Sequence, residues 1–170
     1  ILTYKYYLYT NYLYTNYMEN SSLSEKKIGL LIWNVSIYWQ NKLRLILSQY
    51  HLSLNEYLIL ESLKILKKNI NLPSQINISS FSGIDESVVS VCLKSLENKK
   101  LIKRTVDQDN RKKVINILPT GQKLFDEIFP KINQQETNLF DKLQGEKFNF
   151  CNSLKLILGK KIRIKAEKSL

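Results

Sequence analysis

The chain has 170 residues, with 26 Lys and Arg against 15 Asp and Glu for a net charge of +11. That is enough material for one ordinary globular core, and the charge favours a polyanionic partner, nucleic acid or an anionic membrane surface. Two cysteines and one histidine exclude a disulfide scaffold and a four-ligand structural zinc site, while the five glycines never fall into a phosphate-cradling spacing.

Seven of the ten tyrosines lie between Tyr4 and Tyr17, where YLYTN at 7–11 repeats without change at 12–16. Residues 1–22 are read as a low-complexity Tyr/Asn tail. It is either an adhesive or stacking tail or a stretch upstream of the true start at Met18, the one methionine. Heavy use of Ile, Lys, Asn and Tyr beside a single alanine, Ala166, is the codon signature of an AT-rich genome. No charged, apolar and small-residue stretches follow one another at the N-terminus, so nothing directs export and a cytoplasmic location is expected.

From Leu23 the pattern becomes helical. Ile28, Leu31, Ile32, Val35, Tyr38, Trp39, Leu43, Ile46 and Leu47 recur at spacings of three and four, from a cap at Ser24 to about His51. Asn34, Ser36, Gln40, Asn41, Lys42 and Arg44 interrupt the apolar run, so it reads as amphipathic and not as membrane-spanning. Ser53 and Glu56 have the spacing of a capping box ahead of a second helix at about 55–68. Pro73 and Ser74 restart a short helix through Phe81 that closes at Gly83, where a positive φ is easiest for glycine. Asp85 then caps a helix carrying Val88, Val89, Leu93 and Leu96 up to Asn98, and a short helix, tight turn and longer helix make a helix-turn-helix.

Two strand-like runs, LIKRTVD at 101–107 and VINIL at 114–118, flank the polar QDNRKK and read as a hairpin, or wing. Pro119 and Thr120 start a long helix to about Gln144. After Gly145 a last helix carries Phe148, Cys151, Leu154, Ile157, Leu158 and Ile162. The expected fold class is mainly α with a small β-hairpin wing. Residues 99–113 hold seven Lys and Arg against Asp107 and Asp109, and residues 155–170 hold six against Glu167, so each segment carries +5. The C-terminal cluster reads most simply as a solvated face. The other adjoins the helix-turn-helix, where basic side chains neutralise phosphates and release counterions.

The order of elements and the residues within them resemble the MarR family of winged-helix transcription regulators over about residues 25–145. SLNEYLILESL at 53–63 looks like the family's second helix. INISSFSGIDESVVSVCLKSLENKKLIKR at 76–104 resembles its Gly-Ile turn, Ser-x-Val-Ser recognition helix and the Leu-Glu run that follows. RTVDQDNRKKVINILPTG at 104–121 is similar to its wing and the glycine after it. Four positions depart from the pattern. Asn110 stands where an aspartate commonly precedes the wing arginine, Lys100 where a glycine often ends the recognition helix, and Leu118 where a threonine often caps the next helix. Val91 stands where the family often carries arginine; a valine contacts a thymine methyl but does not read guanine, which suits an AT-rich operator.

The resemblance implies a winged helix-turn-helix at 53–118, flanked by dimerisation helices at 23–52 and 119–170. The function it implies is a homodimeric, nucleoid-associated regulator of transcription, a repressor, on an AT-rich pseudo-palindrome in double-stranded DNA. Base contacts are expected from Ser87, Val88, Ser90, Val91, Lys94 and Ser95, and entry of the minor groove from Arg111. Phosphate contacts are expected from Ser74, Gln75, Arg104, Lys112 and Lys113. Plainer readings stand beside these, with Val88 in the core and Lys94 a solvated helix residue. Tyr38 and Trp39 are candidates for lining a pocket for a small aromatic effector, or for core or dimer interface.

His51 reads as a structural hydrogen-bonder and not a pH switch. The redox-sensing branch of the family uses a cysteine near the start of the first helix, which this chain lacks; Cys92 and Cys151 read as small hydrophobes. No enzyme, metal, cofactor or membrane partner is expected, since no nucleophile stands beside a base. The alternative function is a winged-helix protein-interaction module with only non-specific DNA or anionic-surface binding.

Overall fold

The computed structural model describes residues 22–70, 73–106 and 113–162. They divide into two compact units, one ending at Lys42 and the other beginning at Leu43. The first holds a single helical turn, Leu23–Lys26, and most of α1 (Ile28–Leu47). Ile28, Leu31, Ile32, Trp33, Val35, Ile37 and Tyr38 of α1 are exposed, so among the described residues the apolar pattern of this helix is left largely uncovered. Leu43 and Leu47, at the other end of α1, are buried in the second unit.

A 3-10 turn, Ser48–Tyr50, follows α1, and His51 takes a left-handed conformation (φ 52°) that ends the helical path. Ser53 opens α2 (Leu54–Asn69) with the expected capping box. Glu56 N–H donates to the Ser53 hydroxyl at 3.2 Å, and Ser53 N–H donates to Glu56 Oε2 at 2.7 Å. Ser74 and Asn77 cap α3 (Gln75–Ser82) in the same reciprocal way, and Gly83 closes it at φ 73°. Asp85 opens α4 (Glu86–Asn98) by accepting from Ser87 N–H at 2.8 Å. Val89, Cys92, Leu93 and Leu96 bury one face of α4, which packs on α2 and α3.

Lys100 takes φ 56° at the end of α4, the left-handed position where the sequence offers no glycine. β1 (Ile102–Val106) and β2 (Lys113–Ile117) pair antiparallel, Ile102 opposite Ile117 and Val106 opposite Lys113. Ile102, Val114 and Ile115 are buried, and Ile115 N–H donates to the Pro73 carbonyl at 3.0 Å, tying the hairpin to the start of α3. The expected wing turn at 107–112 lies outside the described residues.

Pro119 occupies the first position of α5 (Pro119–Phe140), where its missing N–H has no partner to lose. A Cβ on Gly121 would stand 2.1 Å from the Leu101 carbonyl oxygen, so the close approach of α5 to the end of α4 requires glycine. Phe125, Ile128 and Ile132 are buried, and Phe125 stacks on Tyr57 of α2 with ring centroids 5.9 Å apart.

Three boundaries differ from the sequence reading. Ser24, expected to cap the first helix, lies inside the turn Leu23–Lys26, and α1 starts only at Ile28. α5 gives way at Phe140 to a 3-10 segment, Asp141–Glu146, whose break falls at Gln144 (φ 45°) and not at Gly145. α6 (Lys147–Ile157) stops short of Ile162, because Gly159 turns left-handed at φ 64° and Lys160 N–H closes back on the Lys155 carbonyl at 2.8 Å.

Candidate nucleic-acid interface

The helix-turn-helix consists of α3, the Gly83 turn and α4. Ser87, Ser90, Val91 and Lys94 are exposed along the face of α4 opposite Val89, Leu93 and Leu96, at the spacing that brings residues onto one side of a helix. Val91 is 71% exposed, an isopropyl group held outward. Ser87 donates its hydroxyl to Asp85, which leaves its oxygen an acceptor on this face. Val88 is half-buried. Ser95 stands apart from the exposed set, its hydroxyl donated to Glu56 Oε1 at 2.7 Å.

Basic groups beside this face meet carboxylates that lie outside the basic segment. Lys99 donates to Glu56 Oε1 and to the His51 carbonyl, each at 2.7 Å. Arg104 donates from Nε and Nη2 to Glu97 Oε2 at 2.8 and 2.6 Å, and its backbone N–H meets Glu97 Oε1 at 3.1 Å. The Arg104 guanidinium holds the Glu97 carboxyl below the usual carboxylate range. Burial acts to raise the Glu56 pKa, but the bonds from Lys99, Ser53 N–H and Ser95 outweigh it and hold that carboxyl low as well. Arg104 therefore reaches a phosphate only by sharing or leaving Glu97.

Lys100 and Lys103 are exposed. Arg111 and Lys112 lie outside the described residues, and Lys113 is described by its backbone alone, at the head of β2. Ser74 commits its hydroxyl to Asn77 Oδ1 at 2.7 Å, and Gln75 reaches the Glu86 carbonyl at 3.4 Å. Glu56 and Glu97 are the partners that sequence reasoning missed. Glu56 is legible as a helix cap, but no spacing rule links it to residues 95 and 99, or links Glu97 to Arg104.

Tyr38 is exposed, with Lys42 Nζ 5.4 Å from its ring centroid, and Trp39 is half-buried. Within the second unit, a cavity of about 310 Å³ is lined by Phe140 of α5, Leu143 of the 3-10 segment and Phe150, Cys151 and Leu154 of α6. Cys151, read as a small hydrophobe, is exposed and lines this cavity. Cys92 is buried; burial first, and the Glu56 charge second, push its thiol pKa up, which keeps it from acting as a nucleophile. Among the described residues no three His, Cys, Asp or Glu side chains are grouped to hold a metal, and no helix is long and apolar enough to cross a membrane.

No family model matches the chain. It is 25% identical over 131 residues to the uncharacterised HTH-type transcriptional regulator YdcH of Bacillus subtilis (strain 168), spanning 76% of this chain and 88% of that protein. A MarR-family transcriptional regulator from Rhodococcus sp. RHA1 superposes with a TM-score of 0.67 at 21% identity, over 85% of this chain and 100% of that one. MepR of S. aureus, in complex with DNA, superposes at 0.70 and 24% identity, over 79% of this chain and 96% of that one. BpsR of Bordetella bronchiseptica, whose DNA binding is regulated by 6-hydroxynicotinic acid, superposes at 0.69 and 18% identity, over 83% of this chain and 98% of that one.

Proposed function

We propose that this chain, which has the fold of the MarR-family winged-helix regulators, is a sequence-specific regulator of transcription that binds double-stranded DNA as a homodimer. The observation that carries the reading is the outward face of α4, where Ser87, Ser90, Val91 and Lys94 are exposed on a helix whose other face is buried. The same fold belongs to a protein seen in complex with DNA.

The uncovered apolar residues of α1 support pairing with a second copy. Two protomers so joined offer two α4 helices to successive major grooves, with half-sites about 10 bp apart. The serines supply modest hydrogen bonds and Val91 packs on a thymine methyl, so the preferred site is an AT-rich pseudo-palindrome. Arg111 at the wing enters the minor groove, which A-tracts narrow and make more negative. Lys103, Lys112 and Lys113 hold phosphates, and Arg104 joins them by exchanging Glu97 for the backbone. Occupancy of the site represses transcription in the cytoplasm, and a small aromatic acid, the class that regulates BpsR, releases it at an aromatic surface that includes Tyr38 and Trp39.

The test is fluorescence anisotropy, with the purified chain titrated onto DNA from upstream of its own gene and onto a scrambled duplex of equal composition, at two salt concentrations. A preference of about a thousandfold for the native duplex supports the reading. Equal binding to both, lost with salt, overturns it in favour of a protein-interaction module with a merely polyanion-binding surface.

A further inference from the structure

The last turn of α4 is fastened to the rest of the domain by one buried carboxylate. Glu56 is 4% exposed. Its Oε2 accepts from Ser53 N–H at 2.7 Å, and its Oε1 accepts from Ser95 Oγ and from Lys99 Nζ, each at 2.7 Å. Lys99 Nζ also donates to the His51 carbonyl at 2.7 Å. Glu56 thus joins the start of its own helix to the end of the helix that carries the exposed face, and through Lys99 the same cluster reaches the left-handed bend at His51.

A capping box needs only the bond to Ser53. The bonds to Ser95 and Lys99 are additional; like the half-exposed Glu97–Arg104 pair that ties α4 to β1 they are directional, but they are made to a buried group. Val89, Cys92, Leu93 and Leu96 attach it by apolar burial, a driving force that has no direction of its own. Charge-assisted hydrogen bonds are short and directional, and a buried carboxylate is stable only while its donors stay in place. At 1.5 Å per residue, Ser87 lies about 12 Å along α4 from Ser95, so a tilt of about 10° at that anchor moves Ser87 by about 2 Å. Productive contacts tolerate displacements of only about 0.5 Å.

We infer that Glu56, with Ser95 and Lys99, is a positioning latch that sets the angle at which α4 is offered to DNA. It governs discrimination between sequences and not the attraction to DNA as such. The inference rests on the regulator reading above. Glu56 is a positioning residue, since it is buried beneath α4 and acts through Ser95 and Lys99.

The experiment compares the full chain with Glu56→Gln, Ser95→Ala and the double variant. Anisotropy affinities are measured for the upstream and scrambled duplexes at one salt concentration, with circular dichroism to establish folding. Each single variant is expected to lower the ratio of the two affinities by about tenfold while binding to the scrambled duplex stays within about twofold. The double variant is expected to lose no more than the worse single one, because both act through the same bond. Should Glu56→Gln fail to fold, Lys99→Met replaces it, since it removes the other donor from the same oxygen and the ratio remains the readout.

An unchanged ratio in folded variants overturns the latch. So do losses that multiply in the double variant, which place Ser95 on a base edge independently of Glu56. A wild-type protein that binds both duplexes alike overturns the regulator reading itself, and shows this before any variant is compared.

Discussion

His51 and Lys100 both close helical segments in the left-handed conformation without being glycine. At Lys100 the two bonds of a Schellman ending are present, Lys100 N–H to the Glu97 carbonyl at 2.9 Å and Leu101 N–H to the Leu96 carbonyl at 3.0 Å. A side chain in that conformation costs about 1–2 kcal/mol. Glycine removes the cost but returns about 0.5–1 kcal/mol of freedom to the unfolded chain. Lys100→Gly is therefore expected to stabilise the domain by up to about 1 kcal/mol, read as a higher urea midpoint at unchanged m. The sequence marks this residue only as a lysine standing where glycine often occurs, and the left-handed φ shows that the geometry persists without its preferred residue. Ser95 illustrates a different limit. It is the same residue type as Ser87 and Ser90 and falls near them on the helix, yet its hydroxyl serves a buried acid. Only the residue facing it across the domain, 39 positions earlier, separates the two roles.

At the scale of elements, the starts of α2, α3 and α4 were legible because each rests on a local hydrogen bond that residue type announces. Ser53, Ser74 and Asp85 all accept from backbone N–H groups as expected, and Pro119 stands at the first position of α5. Ends were harder. The apolar period of the last helix continues through Leu158 to Ile162, so periodicity overruns the stop that Gly159 and the Lys160 N–H impose. Gly145 drew attention as a breaker, whereas the break falls on Gln144, which has no special propensity for it. For α1 the period identified a stripe but not what covers it. Leu31 and Val35, one turn apart, are both exposed. On the proposed dimer, Leu31→Glu combined with Val35→Glu is expected to raise the dimer dissociation constant at least about a hundredfold, each buried aliphatic side chain contributing about 1.5–3 kcal/mol. Sedimentation equilibrium reads this directly, and an unchanged association constant places the dimer contact elsewhere.

Across the whole molecule, two carboxylates of α2 make stability depend on pH in opposite directions. Glu56 titrates below its ordinary range despite its burial, so its contribution is present above that range and is lost as pH falls through the lowered value. Glu61 is raised, first by burial and then by the charge of Glu136 on α5. Its ionisation destabilises the fold at neutral pH, and the penalty fades as pH falls through the raised value. Glu61→Gln is accordingly expected to raise the thermal midpoint at pH 7 and to have little effect at acid pH, whereas Glu56→Gln lowers it at pH 7 and blunts the acid transition. Thermal unfolding followed from pH 3 to 8 checks both signs.

The bare isopropyl group of Val91 has a consequence for the covalent chemistry of the proposed target. Thymine differs from uracil by one methyl group, which base pairing ignores and a major-groove apolar contact does not. A regulator that packs Val91 on that methyl distinguishes ordinary DNA from a duplex of identical base sequence in which deoxyuridine has replaced thymidine. Each lost methyl contact removes about 0.8 kcal/mol, roughly fourfold in affinity per half-site, so a uracil-substituted operator becomes a weak competitor although it spells the same word.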